Sequence, residues 1–206
     1  MKTPRRPGLL LTLLAAATLS ACTLLPDPET YTAYRLPPPD ADAPSPAGRE
    51  VDWTLRVAAP GSSDLLAGNR IAVATGEHRM SAFSGARWVS PLPRLWQEHL
   101  IDTFRSDGRI RHLSADGDRL AADLELRTTL RDFQLDARDE TPRARVVVDA
   151  RLVDVGQRRI IDAERFSATE EAPARDVDAA VAALGAANRS VGSELLAWTL
   201  ATAAGE

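Results

Sequence analysis

Apolar residues follow three rhythms along this chain, and each predicts a different kind of segment. An unbroken run comes first: Gly8 to Leu19 carries no charge and is rich in Leu and Ala. Alternation with a period of two takes over further on. Trp53 to Ala59 alternates until Pro60-Gly61 ends it, which predicts a strand. After a loop with room for a helical turn near Asp64 to Ala67, Arg70 to Thr75 predicts a second strand. Arg79 to Phe83 and Ala86 to Val89 read as a third, interrupted at Ser84-Gly85 by a hairpin or a bulge. Ile110 to Leu113 is a short strand. Ala122, Leu124, Leu126, Thr128 and Leu130 then share one parity, while Phe133 and Leu135 fall on the other. A β-bulge between Leu130 and Phe133 would restore a single apolar face. An acidic turn, Asp136 to Pro142, leads to Ala144, Val146, Val148, Ala150 and Leu152, with Arg143, Arg145, Asp149 and Arg151 opposite. Gly156-Gln157 predicts a hairpin turn into Arg159 to Thr169, completing an antiparallel meander with one wet face.

The third rhythm is helical. Leu92, Leu95, Trp96, Leu100, Thr103 and Phe104 recur at three- and four-residue steps, with Ser90 as the expected N-cap, Pro91 at the first helical position and Gly108 as the stop. A longer helix from about Asp176 to Ala201 carries Val177, Val181, Leu184, Asn188, Val191, Leu195 and Trp198 on one stripe, flanked by Ala and Gly. Asn188 is expected to be a satisfied structural hydrogen bonder there. The order β-β-β-α-β-β-β-β-α predicts an α+β fold: a largely antiparallel sheet of about six to seven strands with two helices on one face.

The unbroken run belongs to a different kind of segment. Lys2, Arg5 and Arg6 precede it and small residues follow, the grammar of a secretory signal. It is shorter than the roughly 20 apolar residues a spanning helix needs. Leu19-Ser20-Ala21-Cys22 closely resembles the bacterial lipobox. That resemblance implies cleavage between Ala21 and Cys22, and diacylglycerol and N-acyl lipid, palmitate included, on Cys22. Thr23 stands where an Asp would imply inner-membrane retention, so the expected site is the periplasmic face of the outer membrane of a Gram-negative bacterium. Residues 1–21 are then a signal peptide, 22–50 a lipidated cysteine with a tether, and 51–206 one domain. Seven of the 28 residues from 23 to 50 are proline, which favours extended polyproline geometry. Within the tether, Tyr31 to Leu36 reads first as an edge strand docking on the domain and second as a partner contact.

Charge narrows the function. Without Lys2, Arg5 and Arg6, the chain has 22 basic residues against 29 acidic, a net charge of −7. An acidic domain lacking a basic stripe is a poor nucleic-acid binder. Lys2 is the only lysine, which removes Schiff-base, Ser–Lys and Walker-lysine chemistry from residue 22 onward. Cys22 is the only cysteine, so no internal disulfide forms. His78, His99 and His112 lie in separate elements without metal-ligand spacing, and no G-x-S-x-G or P-loop occurs. No catalytic residue, metal ligand or dissociable cofactor is assigned.

The lipobox, Tyr34-Arg35-Leu36, Leu55-Arg56-Val57-Ala58-Ala59-Pro60, Leu66-Ala67-Gly68-Asn69-Arg70-Ile71 and Gly85-Ala86-Arg87-Trp88 running into Pro91-Leu92 occur in an order that resembles the PqiC-like family. These are ABC-type transport auxiliary lipoproteins that accompany MCE-domain proteins. The resemblance implies a non-enzymatic component of a transport system for phospholipid or another hydrophobic solute between the two membranes, with permease, ATPase and MCE protein as separate chains. Within it, Arg79, Phe83, Arg87 and Trp88 are the candidate partner contacts, since Trp and Arg are enriched where partners dock. The alternatives are a lipid-binding carrier or envelope assembly lipoprotein with its own acyl-chain cavity, and, third, an envelope hydrolase. A homo-oligomer is left open.

Overall fold

The computed structural model describes residues 30–39 and 49–205. It is α+β: nine strands in one mixed sheet and two long helices. The strands are β1 (Thr32–Tyr34), β2 (Leu55–Val57), β3 (Gly61–Ser62), β4 (Arg70–Gly76), β5 (Arg79–Trp88), β6 (Leu113–Ala115), β7 (Leu124–Asp136), β8 (Arg143–Asp154) and β9 (Arg159–Glu171). The helices are α1, one turn over Asp64–Ala67, then α2 (Leu92–Asp107) and α3 (Val177–Ala204).

β7 is the spine. One edge pairs antiparallel with β8 along almost its whole length, and β8 pairs antiparallel with β9. In the β7–β8 ladder Leu130 faces Val148 and Asp132 faces Val147, which leaves Arg131 over. That extra residue is the predicted bulge, and it brings Phe133 and Leu135 onto the face already holding Leu126 and Leu130. The other edge of β7 is shared end to end by three strands, all parallel: β2 at Leu124 to Leu126, β3 at Thr129 and Leu130, β4 at Gln134 to Asp136. The predicted meander is therefore present, and a set of parallel pairings is added to it. Parallel neighbours need crossover connections, and α2 lies in the crossover from β4 to β7. Local alternation carries no sign of such long-range pairings.

Both helices cover the same face. Trp96 of α2 is fully buried and its Nε1 donates to Thr128 Oγ1 of β7 at 3.2 Å. Trp198 of α3 meets Phe166 of β9 edge-on at 5.6 Å between ring centroids. Between sheet and helices, Trp88, Trp96, Phe104 and Phe133 are 0–1% exposed, with Ile71, Leu100, Leu130 and Leu135 around them.

The helix ends show how the chain enters and leaves this layer. α2 is capped by Pro91 rather than Ser90: no side chain caps it, and the Leu92 amide donates instead to the Gly68 carbonyl at 2.9 Å. Gly108 takes φ 83°, a left-handed stop that glycine adopts without a Cβ clash. Asp176 caps α3 by accepting from the Ala179 amide at 2.9 Å. Among the described residues no helix is long and apolar enough to cross a membrane.

Candidate partner-binding surface

β5 bends at Gly85, whose φ of 65° lets several extra residues of β5 bulge opposite Arg70 to Ala72 of β4. The sequence left a hairpin or a bulge there, and it is a bulge. Beyond the bend, β1 lies parallel against the outer edge of β5, with Thr32 opposite Ala86 and Tyr34 opposite Trp88. Tyr31 to Leu36 is thus a docking strand. Three further contacts hold it. The Val89 amide donates to the Tyr34 carbonyl at 2.8 Å, and the Tyr34 hydroxyl donates to Asp178 Oδ1 of α3 at 2.8 Å. The Arg87 guanidinium lies 4.7 Å from the centre of the Tyr31 ring, a cation–π contact. Pro37 comes so close to α3 that a Cβ on Gly185 would stand 2.4 Å from Pro37 Cγ.

The four expected contact residues separate into two groups. Arg79 is exposed and Phe83 half-buried on the first half of β5, and among the described residues no strand covers the outer edge from Arg79 to Ser84. Met80, 42% exposed, lies between them. An open edge with apolar and cationic side chains is a surface on which another chain can add. Arg87 and Trp88 lie instead on the half of β5 that β1 covers. Trp88 is 1% exposed and meets Phe133 edge-on at 6.1 Å, so its indole is core and cannot touch a partner. Its place beside the start of α2 is what fixes it inside: the Trp88 amide donates to the Asn69 carbonyl at 2.7 Å, in the same loop that caps α2.

The sheet face away from the helices is laced with ion pairs. Asp149 of β8 accepts from Arg165 of β9 at 2.5 Å and from Arg131 of β7 at 2.7 Å. The Arg165 guanidinium, helped by Arg131, holds the Asp149 carboxyl down at about 2. Arg145 reaches Asp132 at 2.8 Å and Arg143 reaches Glu171 at 3.2 Å. This is the predicted wet face, and its arginines are the expected ones.

Other sequence features carry no chemistry that the geometry assembles. His78 and His112 are exposed and far apart in the chain, and His99 is buried under α3. Among the described residues no group of three His, Cys, Asp or Glu side chains could hold a metal. Asn188 is fully buried and neither atom of its amide finds a partner, contrary to the satisfied role expected of it. Ala21 and Cys22, the expected cleavage and lipidation residues, lie outside the described residues.

The chain belongs to the family described as the ABC-type transport auxiliary lipoprotein component, which matches residues 34–195. The match opens at Tyr34, the last residue of the docked strand. The protein is similar to protein XCC0632 of Xanthomonas campestris, whose crystal structure superposes with a TM-score of 0.75 at 25% identity, covering 84% of this chain and 96% of that one. A second crystal structure, of an uncharacterized protein, shows the same fold at a TM-score of 0.65 and 17% identity, covering 83% and 99% of the two chains. In sequence it is 29% identical over 161 residues to an uncharacterized protein of Bradyrhizobium diazoefficiens, over 75% of this chain; it spans 41% of that relative's length. The family's description is that of a lipoprotein component auxiliary to ABC-type transport.

Proposed function

We propose that this lipoprotein is held to the periplasmic face of the outer membrane through lipid on Cys22 and serves an MCE/ABC-type system that moves phospholipid or another hydrophobic solute between membranes. It acts by binding partner subunits, an MCE-domain protein first among them, and not by catalysis. The family match over residues 34–195 carries this reading. Two features of the chain support it: Leu19-Ser20-Ala21-Cys22 ahead of the domain, and the open edge of β5 with Arg79 and Phe83 beside the docked tether. A core filled by Trp88, Trp96, Phe104 and Phe133 favours partner binding over a carrier that encloses an acyl chain. Arg79→Glu with Phe83→Ser should abolish co-purification with an MCE-domain protein, while the variant, somewhat destabilised because Phe83 packs partly against the core, still unfolds cooperatively above the assay temperature. Full recovery of that partner by the double variant would sink the assignment of the surface. Cys22→Ala should release the protein from membranes; a membrane-bound, fully active variant would overturn the anchor.

A further inference from the structure

One end of the uncovered sheet face departs from the pairing rule followed along the rest of it. Arg165 stands directly across the ladder from Asp149, and Arg143 from Glu171. At the far end, Arg127 of β7 stands directly opposite Arg151 of β8. Like charges facing across a ladder destabilise it; Glu125 meets Arg127, and Arg151 is left without an anion among the described residues. Both arginines lie on the wall of a cleft of about 380 Å³, joined by Arg56 of β2 and by Arg158 and Arg159 at the β8–β9 turn. Five guanidiniums thus meet two carboxylates, Glu125 and Asp154, a local excess of three positive charges in an acidic chain.

The two carboxylates are already engaged. Arg56 Nε donates to Glu125 Oε2 at 2.6 Å, and Arg127 Nε donates to Glu125 Oε1. Burial pushes the Glu125 carboxyl up, and the hydrogen bonds from Arg127 and Arg56 outweigh it, leaving the group below its usual range and charged. Asp154 Oδ1 accepts the Gln157 amide at 2.8 Å, closing the turn. Arg151 and Arg158 have no ion-pair or hydrogen-bond partner among the described residues. Arg158 sits at φ 55°, a left-handed conformation that costs a residue with a Cβ. Val153 and the 53% exposed Ile160 add an apolar shoulder to the same cleft.

We propose that this cleft binds a phosphate group, with Arg127, Arg151 and Arg158 as its ligands. A planar guanidinium matches phosphate oxygens in pairs, and the unpartnered forks of Arg151 and Arg158 with the remaining donors of Arg127, all lining one cleft, suit the three or four oxygens of a phosphate better than the two of a carboxylate. The phosphate can come from a lipid head group, whose glycerol end would rest on Ile160 and Val153, or from the free ion. The site stands or falls independently of the MCE partnership.

The test is calorimetric titration of the full chain in a non-ionic detergent with inorganic phosphate and, separately, with short-chain phosphatidylglycerol. Saturable binding is expected, weakened about tenfold or more by Arg127→Gln with Arg151→Gln and by Arg158→Gln, because losing a charge-assisted hydrogen bond to an oxyanion is worth at least that factor. Arg145→Gln, on the same face outside the cleft, should bind as the unaltered chain does. Lipid binding at least about tenfold tighter than phosphate assigns the lipid head group; equal affinity assigns the free ion. Either result supports the site. Absence of saturable binding of both ligands, or variants that bind unchanged, overturns it. If the double variant fails to fold, Arg158→Gln, on an exposed turn, decides alone.

Discussion

His99 lies on the inner side of α2 with 4% of its surface exposed, its Nε2 3.5 Å from where a Cβ on Gly192 of α3 would stand. Nε2 has no hydrogen-bond partner. Burial, with the charge of Arg189 adding to it, lowers the imidazole from 6.5 to about 4. Between those values the unfolded chain holds a proton that the folded chain refuses. Stability is therefore fully present above pH 6.5 and lost as pH falls toward 4, by on the order of 3 kcal/mol. Urea midpoints at pH 7 and pH 4.5 should differ less for His99→Leu than for the unaltered chain; equal losses would remove His99 from the account. Asn188 gives the opposite lesson. Its amide is fully buried without a partner, so Asn188→Leu should raise the melting temperature, by the roughly 1–3 kcal/mol that an unpaired buried polar group costs. A lower melting temperature would mean the amide is satisfied after all. The helical period placed Asn188 on its buried stripe, whereas His99, three residues after Trp96, was not counted on the stripe of its helix although it shares that face. What spacing could not reveal is whether a polar side chain on a buried stripe finds a partner, because the partner would come from another element.

At the scale of elements, local pattern reached as far as local physics does. The parity switch between Leu130 and Phe133 revealed the bulge, and the Gly156-Gln157 turn and Gly108 stop are where glycine and turn chemistry put them. The parallel contacts of β2, β3 and β4 with β7 were not legible, since two- and three-residue pairings leave too little alternation to read. Docking of the tether was half legible. Tyr31 to Leu36 showed strand character, but its partner on β5 and the contact of Pro37 with Gly185 come from opposite ends of the chain. That contact is testable. A methyl group at Gly185 would stand 2.4 Å from Pro37 Cγ and 2.7 Å from its Cβ, too close unless the Pro37 segment shifts. Gly185→Ala should displace the docked segment at a cost of about 1–3 kcal/mol, typical of overpacking. Trypsin cleavage after the exposed Arg35 should then quicken about tenfold or more. Unchanged cleavage would show that Pro37 moves aside freely.

For the whole molecule, the docked tether sets a length. From the sequence alone, residues 23–50 read as a proline-rich tether with a docking strand at Tyr31 to Leu36, without the strand's partner. With Tyr31 to Pro37 held against β5 and α3, only the nine links from Cys22 to Tyr31 would remain between lipid and domain, and no chain of that length spans more than about 30 Å. A lipid on Cys22 would therefore hold the domain close to its membrane, with the open edge of β5 leaving the same side of the sheet as the tether strand. Two equal insertions separate this from a loose-leash reading. Ten Gly/Ser residues placed before Tyr31 lengthen the leash by up to about 35 Å, whereas ten placed within residues 40–48 fall behind the docked strand and leave it unchanged. If lipid occupies Cys22, the sole native thiol is consumed, and Glu164→Cys on the exposed outer strand then provides a single dye site. Energy transfer from that dye to a head-group acceptor in vesicles should weaken with the first insertion and hold with the second. Equal weakening by both would mean that the strand does not stay docked on the anchored protein. If transport fails with the first insertion and survives the second, distance from the membrane, and not mere attachment, is what the tether contributes to the system.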